Sequence, residues 1–277
     1  MSSSPGVALV TGASRGIGRA VAVRLAADGW SVAVLARSAD GVRTVVEAVT
    51  AAGGQAIGVV ADVTDEAATG AAVRAVDQDL GPVDLLVNNA GSFSVFGPVW
   101  ETAPQDWWRD VSINLLGPMN LIGAVVPAMV ERGHGRVVNL SSGMGNGAAP
   151  YASAYAASKA ALTNLTMTLA EELRGTGVGA FVISPGMVQT DMTRFPPEFL
   201  RLVPDLADAV ERGEWTAVGM VAELVAGIGS GRLDGAEGRY LRATDFWPEI
   251  VGLIRNSHDP QARHLALRPY ADDDPLA

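Results

Sequence analysis

Residues 7–29 constrain the fold of this 277-residue chain more than any other stretch. Val7-Ala8-Leu9-Val10 is apolar throughout, as suits a strand buried on both faces of a parallel sheet. It runs into Thr11-Gly12-Ala13-Ser14-Arg15-Gly16-Ile17-Gly18. Ile17, Ala20, Val21 and Leu25 then recur at helical spacing, and Asp28-Gly29 stops the helix. Gly12 permits a tight turn, Gly16 lets a ligand approach bare backbone, and Gly18 lets the helix lie close to the sheet. The free N–H groups at the start of the helix suit a pyrophosphate. A glycine triplet alone says little, but here a strand precedes it and a helix follows it, as a dinucleotide-binding turn requires.

The same alternation continues along the chain. Apolar runs at 31–35, 56–60, 83–87, 136–140 and 178–183 read as five further strands. Between them, 39–52 places Val42, Val45, Val46 and Val49 on one helix face. Thr64 is the expected cap of a helix reaching Asp79, a long helical region runs from Pro104 to Arg132, and another covers 153–174. Six strand–helix alternations imply right-handed crossovers and an α/β doubly wound parallel sheet with helices on both faces. Ligands bind such sheets beyond the carboxyl ends of the strands, where the polar and glycine-rich segments fall. Beyond Phe195-Pro196-Pro197, one or two short helices over 198–212, a helix over 216–229 and a last strand at 238–242 are expected. Residues 1–245 read as one domain, and 246–277 as an extension. In that extension Trp247, Ile250, Leu253 and Ile254 have the spacing to pack on the body or on a partner subunit.

Composition narrows the function. The chain has no cysteine, which excludes thiol nucleophiles and cysteine metal sites, and no metal site is expected. A net charge of −10 and few aromatic residues argue against a nucleic-acid partner. The first six residues are too short and polar for a signal peptide, and no apolar run reaches bilayer-spanning length. The cytoplasm is the default compartment, with no membrane partner.

Chemistry concentrates after the fifth strand. Ser141-Ser142 ends it, and Tyr155-Ala156-Ala157-Ser158-Lys159 opens the next helix. Tyr155 and Lys159 are one turn apart and share a face. A phenol is a poor base at neutral pH, and a nearby ammonium favours its ionised form. Tyr155 therefore has the makings of a general acid/base, with Ser142 a hydrogen-bonding partner for the same substrate oxygen.

Taken together, Thr11 to Gly18, Asp62, Asn88-Asn89-Ala90-Gly91, Asn114, Ser142, Tyr155 to Lys159, and Pro185-Gly186 with Thr190 resemble the short-chain dehydrogenase/reductase family. The likeness is to the single-domain branch that includes 3-oxoacyl-carrier-protein reductases and related ketoreductases. It covers about residues 5–245. It implies a Rossmann-type sheet in the order 3-2-1-4-5-6-7, with Tyr155 as general acid/base and Lys159 lowering its pKa and holding the nicotinamide ribose. It also implies that Ser142, thirteen residues before Tyr155, orients the substrate. Asn114 would kink its helix and hold a water linked to Lys159. Gly12, Ser14, Arg15, Gly16, Ile17 and Gly18 would cradle the cofactor. Asp62 and Val63 would hold the adenine, and Asn89, Ala90 and Gly91 would close the crevice. Ile183, Pro185, Gly186, Val188 and Thr190 would line the nicotinamide site. Relatives form homodimers or homotetramers through the long helices. A longer C-terminus and the absence of a glycine pair after the last strand depart from the usual pattern.

The cofactor is expected to be NADP(H) rather than NAD(H). Ala36-Arg37-Ser38 follows the second strand, where NAD enzymes usually carry an acidic residue. Arg37, Arg15 and Ser38 suit a 2′-phosphate, because guanidinium binds phosphate in bidentate fashion. Phe93, Phe96, Met144, Tyr151, Met187, Met192 and Phe195 would form an apolar substrate wall for a small ketone or a carrier-bound acyl chain. Three functions stand open: hydride transfer between a carbonyl and a secondary alcohol, cofactor binding without turnover as a regulator or scaffold, and epimerisation or dehydration on the same scaffold.

Overall fold

The computed structural model describes residues 5–244. Seven parallel strands lie in the order β3-β2-β1-β4-β5-β6-β7: β1 Val7–Thr11, β2 Ser31–Ala36, β3 Gln55–Val60, β4 Val83–Asn88, β5 Gly135–Leu140, β6 Val178–Ser184 and β7 Tyr240–Arg242. The order reverses beside β1, so a crevice opens between the carboxyl ends of β1 and β4. Every residue of β1, β2 and β6 is buried, which is why those strands read as unbroken apolar runs. The β3 strand lies at the sheet edge and alternates between half-buried and exposed positions.

Alternating side chains feed two cores. On one face, Ala8 and Val10 pack with helices α1 (Gly16–Ala27) and α2 (Ala39–Ala51) and with the late helix 218–229. On the other, Val7 and Leu9 pack with α3 (Glu66–Asp79), α5 (Gly117–Arg132) and α6 (Ser153–Glu172). A short α4 (Pro104–Val111) joins α5 through a π-helical turn, Ser112–Leu116. After β6 come α7 (Pro197–Leu202), α8 (Pro204–Glu211) and α9 (Val218–Gly229). Two helices, rather than one, thus occupy the 198–212 stretch.

Two local expectations change. The cap of α3 is Asp65, not Thr64: Asp65 accepts from the Ala68 amide at 2.9 Å, while the Thr64 hydroxyl is already donated to Asp62 at 2.8 Å. The continuous helical stretch Pro104–Arg132 has a mean hydropathy of 1.6 over its best window and is long and apolar enough to cross a membrane. No such run was expected from the sequence. Its apolarity has another use here, because Leu121, Val125 and Met129 are buried in the core against the sheet. The extension over 246–277, with Trp247, Ile250, Leu253 and Ile254, lies outside the described residues.

Candidate active site

The glycine turn is built to be approached. Gly12 and Gly16 have φ of +62° and +54°, conformations that side chains rarely adopt. A Cβ on Gly12 would stand 2.8 Å from Ala90 Cα. Asn89 braces the turn, its side-chain amide donating to the Thr11 carbonyl at 2.8 Å and to the Gly12 carbonyl at 3.2 Å. The Thr11 hydroxyl in turn accepts from the backbone amides of Asn89 and Ala90, at 3.0 Å each. Gly18 faces inward: a Cβ there would lie 2.5 Å from the Asn89 amide nitrogen.

A cleft of about 560 Å³ follows the crevice and gathers most of the expected cofactor residues. Gly12, Ser14, Arg15, Gly16 and Ile17 line one end, with Arg37, Ser38, Asp62 and Val63 at the tips of β2 and β3. Asn89, Ala90, Gly91, Pro185 and Thr190 lead to Tyr155 and Lys159 at the other end. Gly18, Gly186 and Val188, expected at the cofactor, are not among the lining residues of the cleft. Gly186, at φ +71°, lies hard against Thr216, and Val188 belongs to the core. These residues fit a dinucleotide: bare backbone at the helix start, cations at one end, and a titratable pair at the other.

Arg15 and Arg37 are exposed and only loosely paired, with Asp191 at 3.3 Å and Asp62 at 3.8 Å. Exposed pairs of this kind are worth about 0–1 kcal/mol and yield readily to a stronger anion. Ser38 caps α2 by accepting from the Gly41 amide at 3.2 Å, and its hydroxyl proton remains to donate. Asp62 is mainly a turn carboxylate. Burial raises its pKa, but hydrogen bonds from the Thr64 amide and hydroxyl and the charge of Arg37 together hold it below the usual range.

Asn114 is fully buried inside the π-helical turn that joins α4 to α5. Its side chain, however, is spent on protein groups. It accepts from the Ser92 amide at 2.8 Å and donates to the Ser92 carbonyl at 2.8 Å and to Ser158 Oγ at 3.0 Å. It therefore ties the segment after β4 to α6 beside Tyr155. One turn earlier, fully buried Asp110 accepts from Ser92, Ser94 and Val95. Sequence reading missed Asp110, whose signal is a carboxylate four residues before Asn114 on the inner face of an apolar helix.

Tyr155 and Lys159 are both buried. Lys159 Nζ donates to the Leu140 carbonyl at 2.8 Å and lies 5.6 Å from the centroid of the Tyr155 ring. Burial lowers the Lys159 pKa to about 8. Burial also pushes the Tyr155 phenol up to about 12, with hydrogen bonding to Ser142 pulling down and Tyr240 pushing up. In the cofactor-free chain burial dominates the Tyr155 phenol, and the Lys159 ammonium is engaged with the Leu140 carbonyl. The two serines separate cleanly. Ser141 is buried and donates to the Lys159 carbonyl at 3.0 Å, while half-buried Ser142 meets Tyr155.

The expected substrate wall divides. Phe93 and Met192 line the cleft, and Phe96 and Phe195 pack around Phe93. Met144, Tyr151 and Met187 are not among its lining residues. Gly143–Asn146 winds into a 3-10 turn, in which the Met144 amide donates back to Ser142 Oγ. Tyr151 sits at φ +65° with its carbonyl accepting from Gly97, and the Met187 carbonyl accepts from the Thr216 amide at 2.8 Å.

A doubly wound sheet with a glycine turn at its switch point defines a dinucleotide-binding protein. Residues 6–198 match the model of the short chain dehydrogenase family, and the chain belongs to that family. It is similar to the ketoacyl reductase HetN of Nostoc sp., at 40% identity over 186 residues, 67% of this chain and 64% of that one. The chain spans 60% and 64% of the lengths of the first two curated relatives that it matches. Among solved structures, an NAD+-bound xylitol dehydrogenase is 29% identical with a TM-score of 0.78, covering 87% of this chain and 98% of that one. A gluconate 5-dehydrogenase of Burkholderia cenocepacia J2315, in complex with NADP and tartrate, is 30% identical with a TM-score of 0.77, covering 85% and 92%.

The buried ammonium makes a stability prediction. Between pH 8 and 10.5 the unfolded chain binds the Lys159 proton more tightly than the folded one, so this group's contribution to stability rises with pH across that window. Below it, the penalty is on the order of 3 kcal/mol. Lys159→Met removes the penalty and loses one hydrogen bond. Its Tm at pH 7 should equal or exceed that of the parent, with the advantage shrinking towards pH 10.5. A Tm difference that does not change between pH 7 and pH 10.5 contradicts the assignment.

Proposed function

We propose that the protein is an NADP(H)-dependent oxidoreductase that interconverts a carbonyl and a secondary alcohol, with Tyr155 as the general acid/base. The observation that carries this reading is a buried phenol, in contact with Ser142 and beside Lys159, at the end of a dinucleotide-shaped cleft. When bound, the nicotinamide supplies or accepts the hydride. Gly12 to Ile17 hold the pyrophosphate through bare backbone, and Lys159 holds the ribose while remaining anchored to Leu140.

A phenol held near pKa 12 stays fully protonated at neutral pH. It is therefore set up to give a proton to a substrate oxygen that becomes alkoxide-like, a far stronger base than phenolate. Ser142 holds that oxygen by a neutral hydrogen bond. With NADPH as the cofactor, carbonyl reduction is the expected direction, and the same phenol, as phenolate, is the base for alcohol oxidation. Asn114 acts by keeping the segment after β4 fixed to α6.

NADP(H) preference rests on Arg37 and Arg15 flanking the cleft, with no carboxylate closing β2. Solved neighbours hold either cofactor, so the preference is read from these residues alone. Substrates are small carbonyl compounds, with a carrier-bound acyl chain as the larger candidate. Exposed Trp100, Trp108, Leu116 and Met119 on the α4–α5 side support self-association as a homodimer or homotetramer.

Tyr155→Phe should lower the rate of NADPH-dependent ketone reduction by roughly 10²–10⁴-fold, with cofactor affinity within about twofold of the parent. Retained turnover overturns the role of Tyr155. Loss of turnover together with full NADPH binding separates an enzyme from a binding-only scaffold, whose function would not change. Arg37→Asp should shift the ratio of kcat/KM for NADPH over NADH downward by at least about tenfold. An unchanged ratio removes Arg37 from phosphate recognition.

A further inference from the structure

Four of the six phenylalanines of the chain cluster beside Tyr155, and Phe93 is the one of them that lines the cleft, with Phe96, Phe195 and Phe199 packed around it. Phe93 stacks on the Tyr155 ring, with centroids 4.3 Å apart and planes 21° from parallel. Phe195 and Phe199 each turn an edge toward Phe93 at 5.8 Å, with interplanar angles of 73° and 84°. Phe96 closes the set against Phe93 at 4.8 Å and Phe199 at 4.4 Å. The rings come from two segments about a hundred residues apart, so the box is made by tertiary structure and not by one local run.

The Phe93 ring is held in place by an unusual device. Asp110 is fully buried on α4 and accepts four hydrogen bonds: Ser92 Oγ at 2.6 Å, Ser94 Oγ at 2.7 Å, the Ser94 amide at 2.8 Å and the Val95 amide at 3.2 Å. Ser92 and Ser94 flank Phe93, and the Ser92 backbone is also bonded by Asn114 on its amide and its carbonyl. A buried carboxylate is tolerated only when its lone pairs are satisfied. Here that requirement fixes the backbone on both sides of one ring.

We propose that the substrate is a ketone carrying an aromatic ring, that Phe93 is the residue that selects it, and that Asp110 is the positioning residue that sets Phe93 against Tyr155. This rests on the reading of Tyr155 as proton donor to the substrate oxygen. An aryl group brought to the phenol meets the Phe93 ring, which the three rings behind it hold in place, and ring–ring contact is favoured beyond simple area burial. A saturated chain gains the burial without the ring–ring term. The hydroxyls of a sugar or polyol set against Phe93 meet only carbon on its ring face, which penalises their desolvation.

The test compares phenyl ethyl ketone with cyclohexyl ethyl ketone, a saturated counterpart of similar size, using NADPH consumption. It adds equilibrium binding of both ketones to the Tyr155→Phe chain by calorimetry. The wild type should favour the phenyl compound by about three- to tenfold in kcat/KM and in affinity. Phe93→Ala should bring the ratio near one while leaving NADPH affinity unchanged. Asp110→Asn should raise KM for the phenyl ketone more than for the cyclohexyl one, with a smaller effect on kcat. Ser94→Ala, a milder change if Asp110→Asn does not fold, should move the ratio the same way. Equal handling of the two ketones by the wild type, or a ratio unmoved by Phe93→Ala, overturns the aromatic assignment and leaves carbonyl reduction standing. Equal KM increases for both ketones in Asp110→Asn and Ser94→Ala overturn the positioning role. Selective binding of the phenyl ketone without consumption of NADPH on any carbonyl upholds the ring box and sinks the reaction. Neither turnover nor selective binding sinks both.

Discussion

The site depends on keeping an ammonium out of water beside a phenol. Lys159 is buried at the carboxyl end of β5, where its ammonium donates to the Leu140 carbonyl, its one hydrogen-bond partner among the described residues. That placement works against folding, because the charged form loses hydration that a single carbonyl only partly replaces. The same desolvation holds Tyr155 in its neutral form. A protein that sought stability alone would place an apolar side chain there. The strain of two titratable groups at the mouth of a cleft marks the position as functional.

The supporting structure serves that pair. Strand β1 and its glycine turn are braced from β4 by Asn89, which spends its amide on the Thr11 and Gly12 carbonyls. The segment after β4 is then bonded to the π turn by Asn114, and Asn114 reaches α6 through Ser158. Ser158 in turn donates to the Tyr155 carbonyl at 2.7 Å. A hydrogen-bonded path thus runs from the glycine turn to the backbone of Tyr155 itself. Every step is between buried or half-buried groups, where such bonds are most costly to break.

Much of this was legible in the sequence, and the rest was hidden for definite reasons. Strands β1, β2 and β6 announced themselves because both faces are covered, leaving no polar alternation to confuse the pattern. The turn at Gly12 to Gly18 was legible because only glycine meets its backbone demands. The α3 cap was misplaced because adjacent Thr64 and Asp65 are both good caps, and the choice depends on Asp62 capturing the Thr64 hydroxyl. Helical spacing gave the nearness of Tyr155 and Lys159 but not their burial or the Leu140 carbonyl that takes the ammonium. Asp110 was invisible because its partners Ser92, Ser94 and Val95 lie on another loop. The apolar length of 104–132 was passed over, although the stretch itself was read as one helical region, because Ser112, Asn114 and Asn120 interrupt its apolar residues.

The central claim is that burial holds the Tyr155 phenol protonated well past the range of a free tyrosine. The chain has four tyrosines, so labelling them with carbon-13 at Cζ and comparing spectra with those of Tyr155→Phe assigns the resonance directly. Titration of the cofactor-free protein should show the Tyr155 signal still in its neutral position through pH 10.5, moving only towards about 12. A midpoint at or below the free-tyrosine value of 10 would contradict the account, because the phenol would then be solvated or paired with the ammonium.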